Sequence, residues 1–478
     1  MRPEPGSVAE ADYADRLQTA ERVRRSADVL DSRVTPMAEV TGWLVEYQRA
    51  HHFRTEPIPF HDLQRWSFED GTGNLRHETG RFFSVEGLRT SSDLDPVDRI
   101  QPIIVQPEVG LLGILAREFD GVLHFLMQAK PEPGNVNGLQ LSPTVQATRS
   151  NFDEVHRGRS TPFLDRFIQR PGRRVLVDAI QSEQADWFLH KRNRNMVVEI
   201  DSGVAEHCSF RWLTLGQIRR LLLRDDLVNM DTRSVLACLP TAHGAPGDDD
   251  EGFPAALRRS FYGETEPLHE LNAITGCLTD VQALRVLRQQ SVPLNQVYED
   301  GWQRTGATIR HRSGEGFEIM AVEVTAEQRE VASWTQPLLR PCSQGLMALV
   351  VRRINGALHA LVAARSDVGT LNFAEFGPTV QLRSAWPRGK GNPPPYLEYV
   401  QSAAPGRVRY DAVLSEEGGR FYHARNRYTV VEAGPELPVD CPPGFRWATL
   451  GQLTELLAHG NYLNVELRTL IACAHASY

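Results

Sequence analysis

The stretch LQLSPTVQATRSN, residues 139–151, contains a PTVQ motif that recurs in AEFGPTVQLRSAW, residues 374–386. The similarity extends outward from the motif at constant spacing. With the second copy placed 235 positions later, residues 101–130 align with residues 336–365 without a gap. A match of this length indicates an internal duplication. Its period is too long for a solenoid repeat and suits two complete domains.

The alignment continues on both sides of this region. Upstream the spacing is 234, which aligns VTGWL (residues 40–44) with ITGCL (residues 274–278). Downstream it is 233, which aligns SEQADWFLHKRNRN (residues 182–195) with SEEGGRFYHARNRY (residues 415–428). Changes of one or two residues are typical of loops, so the duplication covers most of each half.

The chain length also supports two domains, because 478 residues exceed what one hydrophobic core usually serves. We predict a first repeat over residues 1–240, with an N-terminal helical segment and the active pocket. A second repeat with a vestigial pocket is predicted over residues 263–478. Residues 241–262 are the predicted linker, because they begin with a segment rich in Pro, Gly and Asp.

Each repeat combines helical and strand-like patterns. Helical spacing opens each repeat, over roughly residues 9–50 and 269–290. The dipeptides DG at 120–121 and NG at 355–356 separate alternating apolar runs and predict one β-hairpin in each repeat. A helix that begins with TLGQ, in which Thr is a plausible N-cap, closes each repeat. The predicted fold class is therefore α+β.

Composition limits the classes of function. With 41% hydrophobic and 23% charged residues, the chain is typical of a soluble globular protein. It has no apolar run long enough to cross a membrane, and its first residues lack a signal-peptide pattern, so we expect a cytoplasmic protein. A net charge of −8 argues against nucleic acid as a partner. The six cysteines show no CxxC spacing, so no structural zinc site is expected.

Four segments, with their second-half counterparts, resemble a known family: FHDLQRW (residues 60–66), TGNLRHETGRFFSVEG (72–87), QAKPEPGNVNGLQLSPTVQATRSN (128–151) and SEQADWFLHKRNRN (182–195). They are similar to the sugar-nucleotide 2,3-dehydratases of deoxysugar biosynthesis, and the resemblance covers nearly the whole chain from about residue 40. It implies an internal duplication of two Nudix-hydrolase-like α/β sandwich domains, and a homodimer.

The resemblance implies a carbon–oxygen lyase, a dTDP-4-keto-6-deoxy-D-glucose 2,3-dehydratase that makes precursors for natural product biosynthesis. The C4 ketone acidifies the hydrogen on C3, so a base yields an enolate, which expels the C2 hydroxyl when an acid protonates it. The 3,4-diketo-2,6-dideoxy product would pass to a downstream 3-ketoreductase. Because the ketone is itself the electron sink, we expect no cofactor and no metal.

Two other functions stay open on the residues alone. A metal-dependent Nudix-type nucleotide-sugar hydrolase needs a helix of clustered carboxylates to hold a divalent metal. Neither SPTVQATRSNFDEVHRG (residues 142–158) nor GPTVQLRSAWPRGKG (residues 377–391) contains that cluster. A non-catalytic nucleotide-sugar binding protein would bind the sugar and leave it unchanged.

Polar residues crowd the segment between residues 128 and 151. If it forms one strand, its alternate residues face a single cleft, although a solvated edge strand shows the same pattern. The predicted substrate-binding residues here are Gln140, Ser142, Thr144, Gln146 and Thr148, with Asn135, Asn137 and Asn151 beside them. Lys130 and Glu132, which precede the Gly134 loop, are predicted catalytic residues, and ordinary exposed loop charges are the alternative.

A second cluster recurs in both halves: Glu183, His190, Arg192 and Asn193 align with Glu416, His423, Arg425 and Asn426. Glu183 and His190 are predicted catalytic residues, and Arg192 and Asn193 are predicted to bind substrate. Spacing by two on a strand directs His190 and Arg192 the same way, which suits a base beside a phosphate-binding guanidinium. A recurrent salt bridge with a structural histidine explains the pattern equally well.

His77 and Trp66 are further predicted substrate-binding residues, Trp66 by stacking on thymine. His77 has the same ambiguity as His190, because it recurs as His311. A position in the hydrophobic core or at an interface is an equally good explanation for Trp66.

The two copies differ in their polar residues. The first has Lys130, Glu132, Ser142 and Thr148, and the second has Arg365, Asp367, Gly377 and Arg383 at the aligned positions. Because the second pocket is chemically poorer, we predict catalysis in the first pocket, which residues from the other half could complete. The predicted second pocket contains Thr379, Gln381, His423, Arg425 and Asn426.

Overall fold

The computed structural model describes residues 5–93, 98–148, 161–168, 174–201, 203–240, 251–263, 265–326, 332–383 and 393–476, with side chains from residue 15 onward. Its helices are α1 (Pro5–Asp28), α2 (Met37–Ala50), α3 (Asp165–Ile168), α4 (Leu215–Leu222), α5 (Met230–Ala237), α6 (Phe253–Tyr262), α7 (Leu271–Leu284), α8 (Leu397–Gln401), α9 (Leu450–Leu456) and α10 (Val465–His475). Short 3₁₀ turns cover Phe60–Asp62, Leu294–Asp300 and Pro405–Arg407. In the described ranges no helix is long and apolar enough to span a membrane.

The strands of the first half are β1 (Phe53–Ile58), β2 (Trp66–Phe68), β3 (Leu75–His77), β4 (Ser84–Ser92), β5 (Arg99–Val105), β6 (Gly110–Phe119), β7 (Val122–Pro131), β8 (Leu139–Ser142), β9 (Val145–Ala147), β10 (Arg174–Ser182), β11 (Phe188–Leu189), β12 (Arg192–Glu199) and β13 (Phe210–Thr214). Those of the second half are β14 (Leu287–Val292), β15 (Trp302–Arg304), β16 (Thr308–His311), β17 (Phe317–Ala326), β18 (Ser333–Pro341), β19 (Gly345–Ile354), β20 (Ala357–Arg365), β21 (Glu375–Gly377), β22 (Val380–Leu382), β23 (Val408–Ser415), β24 (Arg425–Ala433) and β25 (Phe445–Thr449).

Each repeat contains a seven-stranded mixed sheet of the same topology. The first runs β10-β12-β6-β7-β13, with β8 beside β7 and β9 beside β6. The second runs β23-β24-β19-β20-β25, with β21 and β22 in the corresponding places. Helices α4 and α5 share one buried apolar cluster with the first sheet, and α9 and α10 share another with the second sheet. The structure is therefore an α+β fold with a two-fold internal repeat, as predicted.

The predicted hairpins are confirmed. Asp120 and Gly121 have φ values of 50° and 77°, and Asn355 and Gly356 have 51° and 84°. Two successive left-handed residues are what a type I′ turn requires, which is why DG and NG are favoured there. These turns connect β6 to β7 and β19 to β20, the central strands of the two sheets.

The closing helices also begin where the sequence indicates. Thr214 caps α4 by accepting a hydrogen bond from the backbone of Gln217, whose side chain bonds back to the backbone of Thr214. Thr449 and Gln452 form the same capping box on α9. Two backbone N–H groups at each helix start are thereby satisfied.

The predicted helical openings need correction in the second repeat. Residues 269–290 are helical only over α7, and strand β14 begins at Leu287. The preceding helix α6 lies inside residues 241–262, the predicted linker, while residues 241–250 lie outside the described part of the chain. The domain limits at residues 240 and 263 stay a prediction.

The two repeats exchange one strand each. Strand β1 pairs antiparallel with β17 of the second repeat, and β14 pairs antiparallel with β4 of the first repeat. Both belong to sheets separate from the seven-stranded ones, β1-β17-β16-β15 with β18 and β11-β5-β4-β3-β2 with β14. Each repeat therefore completes a sheet of the other.

Two fully buried arginines connect the repeats at the contact between α5 and α10. Arg233 Nη2 donates to the backbone oxygen of Ser415 at 2.6 Å, and Arg468 Nη2 donates to that of Ser182 at 2.5 Å. Each acceptor lies in the repeat opposite to its arginine. This reciprocal arrangement holds the ends of β10 and β23 beside the helix of the other repeat.

Candidate active site

A cavity of about 210 Å³ lies at one end of the central strands of the first-repeat sheet. Clefts that enclose a whole drug-sized ligand usually measure about 300–1,000 Å³, so this cavity suits one sugar ring rather than a complete sugar nucleotide. Its polar lining from the first repeat is Gln106, Lys130, Glu132, Gln146, Thr148, Glu183, Lys191, Asn193 and Asp231. The second repeat contributes Trp334, Gln336, Glu417 and Arg420.

Lys130, near the end of β7, is the centre of a polar network in the cavity wall. Its Nζ donates to Gln146 Oε1 at 2.6 Å and lies 3.2 Å from Glu132 Oε1. The Gln146 amide nitrogen in turn donates to Asp231 Oδ2. The side chains of Lys130 and Glu132 are 13% and 6% exposed, so water screens their charges weakly. A cation fixed in this way is suited to stabilise an oxyanion.

Asp231 lies in the first turn of α5, whose N-cap is Asn229. Asn229 Nδ2 donates to Ser142 Oγ at 3.0 Å, which ties the helix start to strand β8. Burial, assisted by the charge of Glu132, raises the pKa of Asp231. A helix N-terminus ordinarily favours a carboxylate. In this cavity the cost of burial outweighs that preference.

Glu183 follows β10 and faces β12. Asn193 Nδ2 donates to Glu183 Oε1 at 2.8 Å, and Asn193 Oδ1 accepts from the backbone N–H of Gly110 at 3.1 Å. Burial raises the pKa of Glu183, and the charge of Asp231 adds to this. Burial also lowers the pKa of Lys191. The cavity therefore holds a carboxyl and an amine whose pKa values are displaced toward neutrality, which general acid and base groups require.

A loop of the second repeat, residues 416–420, closes one side of this cavity. Gly134 N donates to the backbone oxygen of Gly418 at 2.7 Å. A Cβ atom on Gly134 would overlap the backbone of the opposite repeat, so only glycine permits this approach. The symmetry-related contact is also present, because Gly369 N donates to Ala185 O at 2.8 Å.

In the second repeat, Arg383 stands where the first repeat has Thr148. Its Nε donates to Asp186 Oδ2 at 2.7 Å, and its Nη2 pairs with Glu466, the counterpart of Asp231. The Arg383 side chain is only 15% exposed. Its guanidinium therefore occupies the position that corresponds to the first cavity and bonds to two carboxyl groups there.

Two residues predicted for the second pocket make contacts like those in the first. Gln381 Oε1 accepts from Asn464 Nδ2 at 2.8 Å, and the matching pair in the first repeat, Gln146 and Asn229, is 3.5 Å apart. Asn426 repeats both hydrogen bonds of its counterpart in the first repeat. These amides therefore belong to a network that the duplication copied.

His423 and Arg425 make contacts of other kinds. The exposed His423 ring stacks on Tyr422 with centroids 4.0 Å apart. Arg425 Nη2 pairs with Asp226 Oδ2 of the first repeat at 2.6 Å. Arg425 therefore links the two repeats, and the His423 ring contacts only a neighbour in its own loop among the contacts described.

The interpretation of His190 needs correction. The single strand expected to carry His190 and Arg192 divides into β11 and β12, and His190 lies between them with φ of 53°. A left-handed residue breaks the alternation that was expected to align His190 with Arg192. His190 is exposed, with Nε2 3.1 Å from Gln289 Oε1 and its backbone N–H donating to Gly369 O. The described lining of the cavity includes neither His190 nor Arg192.

Trp66 and His77 lie in a hydrophobic core, each about 8% exposed. The Trp66 ring packs against Phe83 at 4.8 Å and against His77 at 5.2 Å between centroids. His77 Nδ1 is 2.8 Å from Thr79 Oγ1. This packing agrees with the core alternative for Trp66 rather than with stacking on thymine.

The predicted polar row is not one strand, because β8 and β9 pair with different neighbours, β7 and β6. Of that row, Gln146 and Thr148 line the cavity. Gln140 and Ser142 are fully buried behind it, and Gln140 Oε1 accepts from Ser415 Oγ at 2.8 Å.

The predicted asparagines differ in their surroundings. Asn137 Nδ2 donates to the backbone oxygen of Asp226 at 2.8 Å. Asn135 is buried in the loop beside Gly418, and within the described residues its amide nitrogen and oxygen have no hydrogen-bond partner. Asn151 lies outside the described residues.

The threonine of each PTVQ motif has a structural role in its sheet. Thr144 Oγ1 donates to Leu126 O and accepts from Leu115 N at 3.0 Å, and Thr379 makes the same two bonds in the second repeat. Thr144→Val and Thr379→Val should therefore each lower the free energy of unfolding by about 1–3 kcal/mol, because each leaves a buried N–H without its acceptor. Chemical denaturation of both variants measures this, and a loss of turnover confined to Thr144→Val without destabilisation would contradict it.

Several lining residues were not identified from the sequence. Asp231 aligns with Glu466, so a carboxylate recurs at the start of the last helix, and this signal could have been used. Lys191 has Ala424 as its counterpart. Such a difference between the repeats is also a signal, because the same kind of difference singled out Lys130 and Thr148. Glu417 has no such signal, because the repeat pattern does not show that its loop enters the opposite pocket.

A family model described as NDP-hexose 2,3-dehydratase matches residues 37–239 and again residues 271–474. Three similar proteins are each named dTDP-4-dehydro-6-deoxy-alpha-D-glucopyranose 2,3-dehydratase. The protein from Saccharopolyspora spinosa is 48% identical, with 92% of both chains covered. That from Amycolatopsis orientalis is 44% identical, covering 98% of this chain and 94% of its own. That from Streptomyces violaceoruber is 45% identical, covering 92% and 97%.

The two matched segments coincide with the two structural repeats, and together they cover more than half of the chain. The similarity to the three relatives also extends over nearly all of the chain. The chain belongs to the NDP-hexose 2,3-dehydratase family.

Proposed function

We propose that this protein is a dTDP-4-keto-6-deoxy-D-glucose 2,3-dehydratase, a carbon–oxygen lyase of deoxysugar biosynthesis. The observation that carries the proposal is the first-repeat cavity, where a fixed lysine cation stands among carboxyls of raised pKa. The names of the three relatives support the same substrate.

The reaction requires an electron sink, a base and an acid. The C4 ketone of the substrate is the sink, and Lys130 is placed to stabilise the C4 oxyanion when the proton on C3 leaves. Among the predicted catalytic residues, Glu132 and Glu183 line the same cavity and are the groups proposed to move protons. Gln146 and Asn193 hold Lys130 and Glu183 in position.

The proposed product is a 3,4-diketo-2,6-dideoxy sugar nucleotide. It is a reactive diketone, so we infer that a 3-ketoreductase acts next. A homodimer and a Nudix-like origin of both repeats are parts of the proposal that rest on the resemblance stated above. A cytoplasmic location is supported by the six unpaired cysteines, which are usual in a reducing compartment.

The reaction is tested by incubating the protein with dTDP-4-keto-6-deoxyglucose, a 3-ketoreductase and NADPH, followed by mass spectrometry. We expect the product to lack the C2 oxygen, both in buffer and after exhaustive chelation. Release of a sugar phosphate that stops with chelator and returns with Mg²⁺ would instead identify a Nudix-type hydrolase. Binding with no change of mass would identify a nucleotide-sugar binding protein.

A further inference from the structure

The lining of the first cavity divides into residues that the duplication copied and residues that it did not. Six lining residues of the first repeat align with residues of similar chemistry in the second repeat: Lys130 with Arg365, Glu132 with Asp367, Gln146 with Gln381, Glu183 with Glu416, Asn193 with Asn426, and Asp231 with Glu466. The copied set is present in both pockets, including the one that Arg383 fills. It therefore does not by itself explain why one pocket would be active.

Two ionisable residues enter the first cavity from the opposite repeat, and the residues aligned with them are uncharged. Glu417 and Arg420 enter the first cavity from the second repeat, and their counterparts on the loop of the first repeat are Gln184 and Trp187. Gln184 donates to the Glu416 carboxylate at 2.8 Å. The position aligned with Glu417 is thus an amide, and the carboxyl that crosses to the second pocket is instead Asp186, which bonds to Arg383.

The structure directs the Glu417 side chain into the cavity. A Cβ atom on Gly419 would overlap Glu417 Oε1, so the absence of a side chain at Gly419 makes room for the carboxyl. The first repeat has Asp186 at that position. Gln336 Nε2 donates to the backbone oxygen of Gly419 at 2.9 Å and supports the loop from the other side.

Glu417 is half-buried, with the Oε2 atom of its carboxyl inside the protein, and the carboxyl is incompletely bonded. Its Oε2 has no hydrogen-bond partner among the described residues. The guanidinium of Arg420 bonds instead to Gln106 Oε1 at 3.1 Å and to the backbone oxygen of Gly419 at 2.8 Å. A buried carboxyl without a bonded counter-ion favours its neutral, protonated form.

Some of the charges around Glu417 raise its pKa and others lower it. Burial raises its pKa to about 8, and the charges of Asp231 and Glu132 add to this, while those of Arg420 and Lys130 oppose it. Near neutral pH the side chain is therefore mostly a carboxylic acid and holds a proton that it can donate.

We propose that Glu417, supplied by the second repeat, is the catalytic acid that protonates the departing C2 hydroxyl in the first-repeat cavity. The assignment rests on the proposed function. It also explains why the active pocket needs both repeats, since the acid lies on one and the copied polar network on the other.

The step balances in protons and electrons. A base removes the proton on C3, and the electron pair forms the C3–C4 enolate. The enolate pair then forms the C2–C3 double bond as the C2–O bond breaks, and the Glu417 proton completes a molecule of water. In the tautomerisation that follows, C2 gains the proton held by the base, and the C3 hydroxyl returns a proton to Glu417.

The test uses Glu417→Gln in the full-length protein with two substrates, dTDP-4-keto-6-deoxyglucose and its 2-deoxy-2-fluoro analogue. Fluoride leaves without a proton, so the variant should lose at least about 100-fold in kcat on the natural substrate and stay within about fivefold of the wild type on the fluoro analogue. In D₂O the variant should still exchange the C3 hydrogen. Glu455→Gln, at an exposed helix position, is the matched control and should change neither rate.

Equal losses on both substrates would show that Glu417 is structural, and an unchanged rate on the natural substrate would also overturn the proposal. Thermal melts exclude misfolding as the cause of a loss. If the wild type itself neither exchanges the C3 hydrogen nor eliminates water, the proposed function fails, and that result is distinct from a failure of Glu417 alone.

Discussion

Lys130→Met is expected to lower kcat for dehydration by about 10²–10³-fold, the usual effect of removing one preorganised group that stabilises an oxyanion. Lys130 is largely buried and held by Gln146 at 2.6 Å and Glu132 at 3.2 Å, so it needs little reorganisation when charge develops on the C4 oxygen. Methionine keeps the length and apolar character of the side chain but removes the charge. Steady-state kinetics and the exchange of the C3 hydrogen in D₂O should both show the loss.

The matched control is Arg365→Met, because Arg365 has the same strand position in the second repeat and pairs with Asp367 at 3.5 Å. We expect kcat within about threefold of the wild type, since Arg383 fills that pocket. A loss in Arg365→Met with Lys130→Met unaffected would place the active pocket in the second repeat. A rise in KM with unchanged kcat for Lys130→Met would show that the lysine binds the ground state instead.

Local sequence signals predicted the parts of the fold that local chemistry determines. The DG and NG dipeptides formed the expected turns because their residues tolerate positive φ. The TLGQ segments formed capping boxes because Thr and Gln satisfy the first N–H groups of a helix. Lys130, Glu132, Gln146, Thr148, Glu183 and Asn193 were predicted as site residues and do line one cavity.

Local sequence signals could not predict the exchange of strands between the repeats. Strands β1 and β14 have aligned positions in the two repeats, and each pairs with the sheet of the opposite repeat. Because the two strands are copies, either one suits either sheet. The alternation of apolar residues specifies which face of a strand is buried, but not which repeat supplies its neighbour. For the same reason the sequence did not show that the loop of residues 416–420 reaches the first-repeat cavity.

His190 shows a second limit. Its spacing from Arg192 predicted a shared strand face, but the chain turns there with positive φ so that the His190 backbone N–H can bond to Gly369. That turn depends on a contact between the repeats, which strand periodicity does not encode.

The two arginines that connect the repeats carry the largest expected effect on stability. Arg468→Met should lower the free energy of unfolding by about 2–5 kcal/mol, because it leaves the buried backbone oxygens of Ser182 and Leu463 without their donor. Arg233→Met should have a similar effect, since it removes the donor to Ser415 and Val228. Denaturant unfolding followed by fluorescence and circular dichroism measures both.

Arg427→Met is the control for loss of an arginine elsewhere. Arg427 pairs with Asp411 on the surface, where the two side chains are 50% and 42% exposed, and such pairs are worth about 0–1 kcal/mol. Arg468 differs because it is fully buried, so its loss leaves two backbone oxygens unbonded inside the protein. Equal losses for Arg427→Met and Arg468→Met would contradict the role assigned to burial.

Arg468 also links the stability of the interface to the site. Ser182, its acceptor, immediately precedes Glu183, and the charge of Arg468 opposes the rise in the pKa of Glu183 that burial causes. Removing the arginine should therefore raise the pKa of Glu183 further and keep its carboxyl protonated to higher pH. If Glu183 acts as a base, the acidic limb of the pH–rate profile should move to higher pH in Arg468→Met. If the pH–rate profile does not move while stability falls, Arg468 has a structural role and Glu183 is not the base that the profile reports.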